Sequence, residues 1–267
     1  MKELEKISKD IRKDIIDMIY AAGSGHLGGS LSCVEIMVAL YHKIMNLNTD
    51  SKNERVDKFV LSKGHASSCY YAVLSSKGFI PHEDLATFRK YNSYLEGHPY
   101  IKINGVDVSS GSLGQGLSIA NGMAISKKIS NEEGIVYCLV GDGEIEEGQI
   151  WEACMSANKY KLDNLVLFVD NNGLQIDGSI KEVKNVDNLT EKFNSFGFYV
   201  QNINGHNFDE IISAVNNTKS SNKPNVIIAN TIKGKGVSFM ENNVKWHGKS
   251  LNEEEYKIAL QELGGKI

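Results

Sequence analysis

Nothing in the chain approaches ~18 consecutive apolar residues, so no helix of membrane-spanning character is expected. The opening MKELEKISKDIRKDIIDMIY has charges throughout and no uninterrupted apolar stretch, so a signal peptide is not expected and a cytoplasmic location is. Cysteine is sparse: Cys33, Cys69, Cys138 and Cys154 form no C-x-x-C pair and sit mainly in apolar runs, as reduced structural thiols do. A net charge of −4, with basic and acidic residues interspersed, leaves no extended positive face for nucleic acid. No Pro-rich or Gly/Ser-rich linker, internal repeat or low-complexity tract divides the 267 residues. Length alone permits one large α/β domain or two small ones; the missing linker favours a single domain over 1–267. Apolar residues at 41% and charged residues at 23% are ordinary for a globular protein.

What is present is alternation. Ile7, Ile11, Ile15, Met18, Ile19 and Ala22 recur at helical spacing before a break at Gly23-Ser24-Gly25. A second helical pattern runs from about Cys33 to Met45; a polar loop follows, then the strand-like run Phe59-Val60-Leu61. Helix candidates at about 66 to 77, 113 to 129, 148 to 160, 189 to 196 and 208 to 217 interleave with strand candidates at 135 to 140, 165 to 169, 198 to 203 and 226 to 230. This is the pattern of parallel βαβ units, and the apolar strands predict an α/β, doubly wound, mostly parallel sheet of about five strands with helices on both faces.

Ligands in such a sheet bind beyond the carboxyl ends of the strands. Two polar turns fall there: Gly141-Asp142-Gly143-Glu144 and Asp170-Asn171-Asn172-Gly173. If their strands are neighbours, the Asp142 carboxylate and the Asn172 amide oxygen converge on one point, which suits a hard cation such as Mg²⁺ that takes the rest of its shell from phosphate and water. The flanking glycines and the N–H groups of a following helix would admit a diphosphate. Taken alone, G-D-G is equally a tight turn with a capping Asp. Other phosphate motifs fail. Gly248-Lys249-Ser250 has Asn243 where a Walker loop needs glycine, and neither Gly111–Gly116 nor Gly141-Asp142-Gly143 has Rossmann spacing. Five of the seven histidines touch a glycine, namely His26, His65, His98, His206 and His247, whereas His42 and His82 read as ordinary helix residues. No pair has zinc-type spacing.

These residues carry a resemblance. Ser24-Gly25-His26, Phe59-Val60-Leu61-Ser62-Lys63-Gly64-His65, Gly97-His98-Pro99, Gly111-Ser112-Leu113-Gly114-Gln115-Gly116, Gly141-Asp142-Gly143 with Asn171-Asn172-Gly173, Ile176-Asp177-Gly178, Lys233-Gly234-Lys235-Gly236 and Trp246-His247-Gly248 occur in this order. Over nearly the whole chain the sequence resembles transketolase, and more narrowly the N-terminal, diphosphate-binding subunit of transketolases split into two chains. The resemblance implies thiamine diphosphate and Mg²⁺ as cofactors, with Asp142, the Asn172 side chain and the Leu174 carbonyl on the metal. It implies His65, Gly111, Ser112, Leu113, Gly143 and His247 on the cofactor, and His26, His98 and His247 toward a sugar phosphate. Glu147 and Glu152 match glutamates that link two active sites across the family's dimer; their bland readings are a first-turn acid and a surface charge. A partner chain with the pyrimidine-binding and C-terminal domains, an α2β2-type heterotetramer and a place in the pentose phosphate pathway are also implied. Leu27 stands where the family commonly has proline, and Ser112 where single-chain members do; the latter is typical of split subunits. Other thiamine enzymes on this scaffold, deoxyxylulose-phosphate synthase or a 2-oxoacid dehydrogenase component, fit His26 and His98 less well, and a non-catalytic subunit fits poorly with the complete metal constellation.

Overall fold

Side chains alternate along a strand, so an uninterrupted apolar run has to feed two cores at once. In the computed structural model, which describes residues 1–48 and 54–265, this is how the molecule is built. In β2 (Val136–Gly141), Tyr137 and Leu139 join one buried cluster while Val136, Cys138 and Val140 join another. β3 (Leu165–Asn171) divides Val166 and Phe168 from Leu165, Leu167 and Val169 in the same way. β1 (Lys58–Leu61), β4 (Tyr199–Asn204) and β5 (Asn225–Asn230) complete a sheet of order β1-β2-β3-β5-β4 in which every described pairing is parallel.

One core is covered by α1 (Lys2–Ala22), α3 (Val34–Ala39), α4 (Ser67–Ser76), α9 (Phe208–Thr218) and α10 (Glu253–Glu262). The other lies under α5 (Gln115–Ile129), α6 (Gly148–Lys159) and α8 (Leu189–Ser195). The predicted doubly wound sheet of about five strands is therefore present. β4 departs from the continuous apolar pattern because it is an edge strand, with Tyr199, Asn202 and Asn204 exposed. All four cysteines are buried free thiols, and no helix among the described residues is long and apolar enough to cross a membrane.

One expectation is corrected. The helix read from Cys33 to Met45 begins earlier, as α2 (Leu27–Ser32), breaks at Cys33, resumes as α3 and ends in a π-helical turn over Leu40–Ile44. The expected break at Gly23-Ser24-Gly25 is present between α1 and α2, and inside α2 Gly28 and Gly29 let other groups approach closely: a Cβ on Gly28 would lie 3.1 Å from the Trp246 carbonyl oxygen, and one on Gly29 3.1 Å from His65 Nε2. The helix expected at about 148 to 160 is present as α6, and a 3₁₀ turn, Gly143–Glu146, joins it to Asp142. The polar loop expected between Met45 and Phe59 lies partly outside the described residues.

The registers Gly141↔Asp170, Asn171↔Asn230 and Asn204↔Asn230 bring four strand ends level. Everything that follows these strands leaves from one edge of the sheet.

Candidate active site

β2 and β3 are neighbours, so the two polar turns meet. Asp142 is 2% exposed; its Oδ1 accepts the Gly143 N–H at 2.9 Å and its Oδ2 the Gly173 N–H at 2.5 Å. Burial, reinforced by the charge of Asp170, pushes the Asp142 carboxyl up to about 7. On the second turn, the Leu174 N–H donates to Asn172 Oδ1 at 3.2 Å, and Lys233 Nζ donates to the Leu174 carbonyl at 2.9 Å. A carboxylate, an amide oxygen and a carbonyl oxygen thus border one cleft of about 390 Å³.

The same cleft collects the glycine-flanked histidines from distant parts of the chain. The ring centroids of His26, His65 and His247 stand 5.3, 5.5 and 5.6 Å apart, and His98 lies more openly at the rim. All four rings are held below the ordinary imidazole value, first by burial and then by neighbouring positive charge: His26 falls to about 4 and His247 to about 3. They are neutral imidazoles near pH 7. Gly111, Leu113, Gly143 and Glu147 also line the cleft. A Cβ on Gly111 would lie 3.2 Å from the His98 ring and one on Gly143 3.2 Å from Gln175 Cβ, so both glycines leave room at the cleft wall. Ser112 is exposed beside them, in the turn where its carbonyl accepts from Gln115 N. Glu152 is not brought into the cleft; it is exposed on α6. His206 also lies elsewhere, bonded to Glu35, while His42 meets Ser76 and exposed His82 meets Asp14.

In the floor of the cleft and behind it stands a layer of buried charge that the sequence patterns alone do not reveal. Asp170 is fully buried and accepts from Ser32, Lys63, Thr231 and Asn172. Burial alone would raise its carboxyl, but Lys63 outweighs burial and holds it below the usual range. Lys63 also donates to the Gly29 carbonyl at 2.8 Å, tying α2 to the end of β1. Glu144, 3% exposed, accepts from Ser62 and from the N–H groups of Gly114 and Gly141 at 2.8 and 3.1 Å, joining three loops. Lys233 bridges the Leu174 carbonyl and His247 Nδ1, both at 2.9 Å. Lys63 and Lys233 stand inside the ordered motifs, and the signal available in sequence was a lysine beside glycine at a strand end. Their carboxylate and carbonyl partners become visible only in three dimensions.

Residues 4–266 match the family model described as transketolase, thiamine diphosphate binding domain. The chain belongs to the transketolase family. An apulose-4-phosphate transketolase subunit from Phocaeicola vulgatus is 41% identical over 100% of this chain and 96% of its own length. The 6-deoxy-6-sulfo-D-fructose transketolase subunit from a Clostridium species is 43% identical over 98% of this chain and 96% of its own. Among solved structures, transketolase from Campylobacter jejuni superimposes with a TM-score of 0.92 at 36% identity, covering 100% of this chain but 43% of that one. This transketolase-family chain thus has the extent of those separate subunits, spanning less than half of the single-chain transketolase. The family is defined by a thiamine diphosphate binding domain, so thiamine diphosphate is the cofactor supported for this cleft.

Proposed function

We propose that the chain is the diphosphate- and magnesium-binding half of a cytoplasmic transketolase of the pentose phosphate type. It would transfer a two-carbon ketol unit from a ketose phosphate to an aldose phosphate, in an α2β2-type complex with a chain that carries the pyrimidine-binding and C-terminal domains. The observation that carries this reading is the meeting of the Asp142 and Asn172 turns beneath three neutral histidines.

The donor set fits a hard cation. Asp142, Asn172 Oδ1 and the Leu174 carbonyl are all oxygens, one is a carboxylate buried in a way that opposes its own charge, and the glycine-walled cleft leaves space for phosphate oxygens. Those three residues would hold Mg²⁺. His65, Gly111, Ser112, Leu113, Gly143 and His247 would hold thiamine diphosphate, which when bound supplies the carbanion chemistry as an ylid. His26 and His98 would hydrogen-bond substrate oxygens, with His247 reaching both cofactor and substrate. Glu147 and Glu152, exposed in the single chain, would meet their counterparts across the dimer. The whole complement of 1–267 would act as one diphosphate-binding domain.

The test is reconstitution. This chain and its partner subunit, supplied with thiamine diphosphate and Mg²⁺, should transfer ketol units, whereas either chain alone should not. Because the two relatives are named for a phosphorylated and a sulfonated sugar, the donor panel should include pentose phosphates and sulfo-sugars. An inactive complex across that panel would exclude the activity. Asp142→Ala should abolish cofactor retention, read by equilibrium dialysis, and leave folding intact.

A further inference from the structure

An imidazole carries two unlike nitrogens, and the one bearing the proton decides whether the ring offers a donor or a lone pair. In His26 and His247 that choice is constrained from behind. Arg89 Nη2 lies 3.5 Å from His26 Nδ1, and Lys233 Nζ lies 2.9 Å from His247 Nδ1. Guanidinium and ammonium groups donate and do not accept, so each Nδ1 must turn its lone pair to the cation and the ring proton must sit on Nε2.

Arg89 is built into this position against several costs. Its backbone is left-handed, at φ 57, where a side chain other than glycine costs roughly 1–2 kcal/mol. Its N–H bonds the Leu95 carbonyl at 2.9 Å, and its guanidinium lies 5.6 Å from the Phe88 ring centre. The glycine at 97 makes room for it, since a Cβ there would stand 2.8 Å from Arg89 Nε. Nε itself is buried without a partner, and no carboxylate pairs with the charge among the described residues. His26 is the side chain to which this guanidinium is hydrogen-bonded.

We propose that Arg89 and Lys233 are positioning residues that hold His26 and His247 as neutral Nε2–H tautomers, so that the two rings offer hydrogen-bond donors, not bases, to a ligand. Both rings line the cleft, with centroids 5.6 Å apart and planes at 85°. The recognised chemistry is an oxygen-rich ligand presenting acceptor oxygens: the carbonyl and hydroxyl lone pairs of an acyclic sugar, or phosphate. That these donors serve a sugar rests on the transketolase reading; the tautomers themselves do not.

Histidine-selective ¹⁵N labelling of the full chain, with long-range ¹H–¹⁵N correlation at pH 7, reads the tautomers directly. Both Nδ1 atoms should resonate as unprotonated nitrogens and both protons should couple to Nε2; a proton on either Nδ1 overturns the proposal. Arg89→Met should move the His26 shifts toward those of a free imidazole and leave His247 unchanged, while Arg89→Lys should keep the original pattern. An unchanged His26 spectrum in folded Arg89→Met also overturns it. In the assembled complex, Arg89→Met should lower kcat/KM for the ketose by about ten- to a hundredfold, with Arg89→Lys recovering most of the loss. Unaltered kcat/KM would remove the functional half. If the unmodified complex transfers no ketol unit at all, the transketolase reading fails and the spectra alone decide the tautomers.

Discussion

A buried charge survives in this chain where a second charge and several hydrogen bonds meet it. Lys63 and Asp170 stand 107 positions apart and are 1% and 0% exposed as side chains, yet each shifts the other toward its ionised form. Lys63→Met leaves the Asp170 carboxylate buried without its ion partner. It should cost about 3–5 kcal/mol in urea unfolding, as broken buried pairs do. The second network lies away from the cleft. Arg12 and His206 both bind Glu35, at 2.7 and 2.8 Å, and His206 Nε2 accepts the Ile232 N–H at 2.8 Å, so His206 braces the loop that carries Lys233. Burial pushes the Glu35 carboxyl up, but the His206 and Arg12 contacts outweigh it and hold it at about 2 against an ordinary 4.5. A depressed carboxylate contributes stability above its unfolded value and loses it as pH falls toward the folded one. Glu35→Gln should therefore cost about 3 kcal/mol at pH 7, and the gap to the parent should close between about pH 4.5 and pH 2 in urea melts. At this scale the residues beside glycine in turns and loops were legible: His26, His65, His98, His247, Asp142 and Asn172. Lys63, Asp170, Glu144 and Arg89 were not, because their roles depend on partners distant in sequence.

At the scale of elements, hydrophobic period carried most of the reading. The five strands and α4, α5, α6, α8 and α9 fall within a residue or two of their expected ranges, since an apolar run between turn signals has few ways to be buried; α1 begins five residues before the pattern read from Ile7. α10 was missed because its Glu-rich sequence hides the apolar stripe, although the Asn252 and Glu255 capping box at its start is a local signal. Asn252→Ala should cost about 1 kcal/mol, with the loss measured by thermal unfolding. α10 then docks on α1 through Tyr256, stacked on Tyr20 at 4.0 Å and bonded to Asp17. α2 was missed for a different reason: its buried glycines mark close approach, and in sequence they are indistinguishable from a loop. Gly116, in the first turn of α5, makes the same point, since a Cβ there would stand 2.7 Å from the Ser62 backbone and closer still to its side chain. Gly116→Ala should destabilise by about 1–3 kcal/mol and shift the Ser62–Glu144 contact, visible as a lower urea midpoint.

At the scale of the whole molecule the cleft is open on one side, and apolar side chains stand at its rim. Leu113 and Ile176 are 39% and 67% exposed beside the cleft's histidines, where a partner chain would close the site. Leu113→Asp with Ile176→Asp should leave the chain's own unfolding within about 0.5 kcal/mol, as surface changes do, and weaken partner binding at least about tenfold by sedimentation. The sequence by itself determined the layered α/β architecture, the family and the glycine-flanked His26, His65, His98, His247, Asp142 and Asn172 that face the cleft, because hydrophobic period and turn chemistry are local properties of the chain. Tertiary structure alone decided which carboxylate pairs with which lysine, where glycines admit a neighbour and which histidine nitrogen keeps its lone pair. Those depend on groups tens of residues apart being held within hydrogen-bonding distance by the parallel register of the sheet.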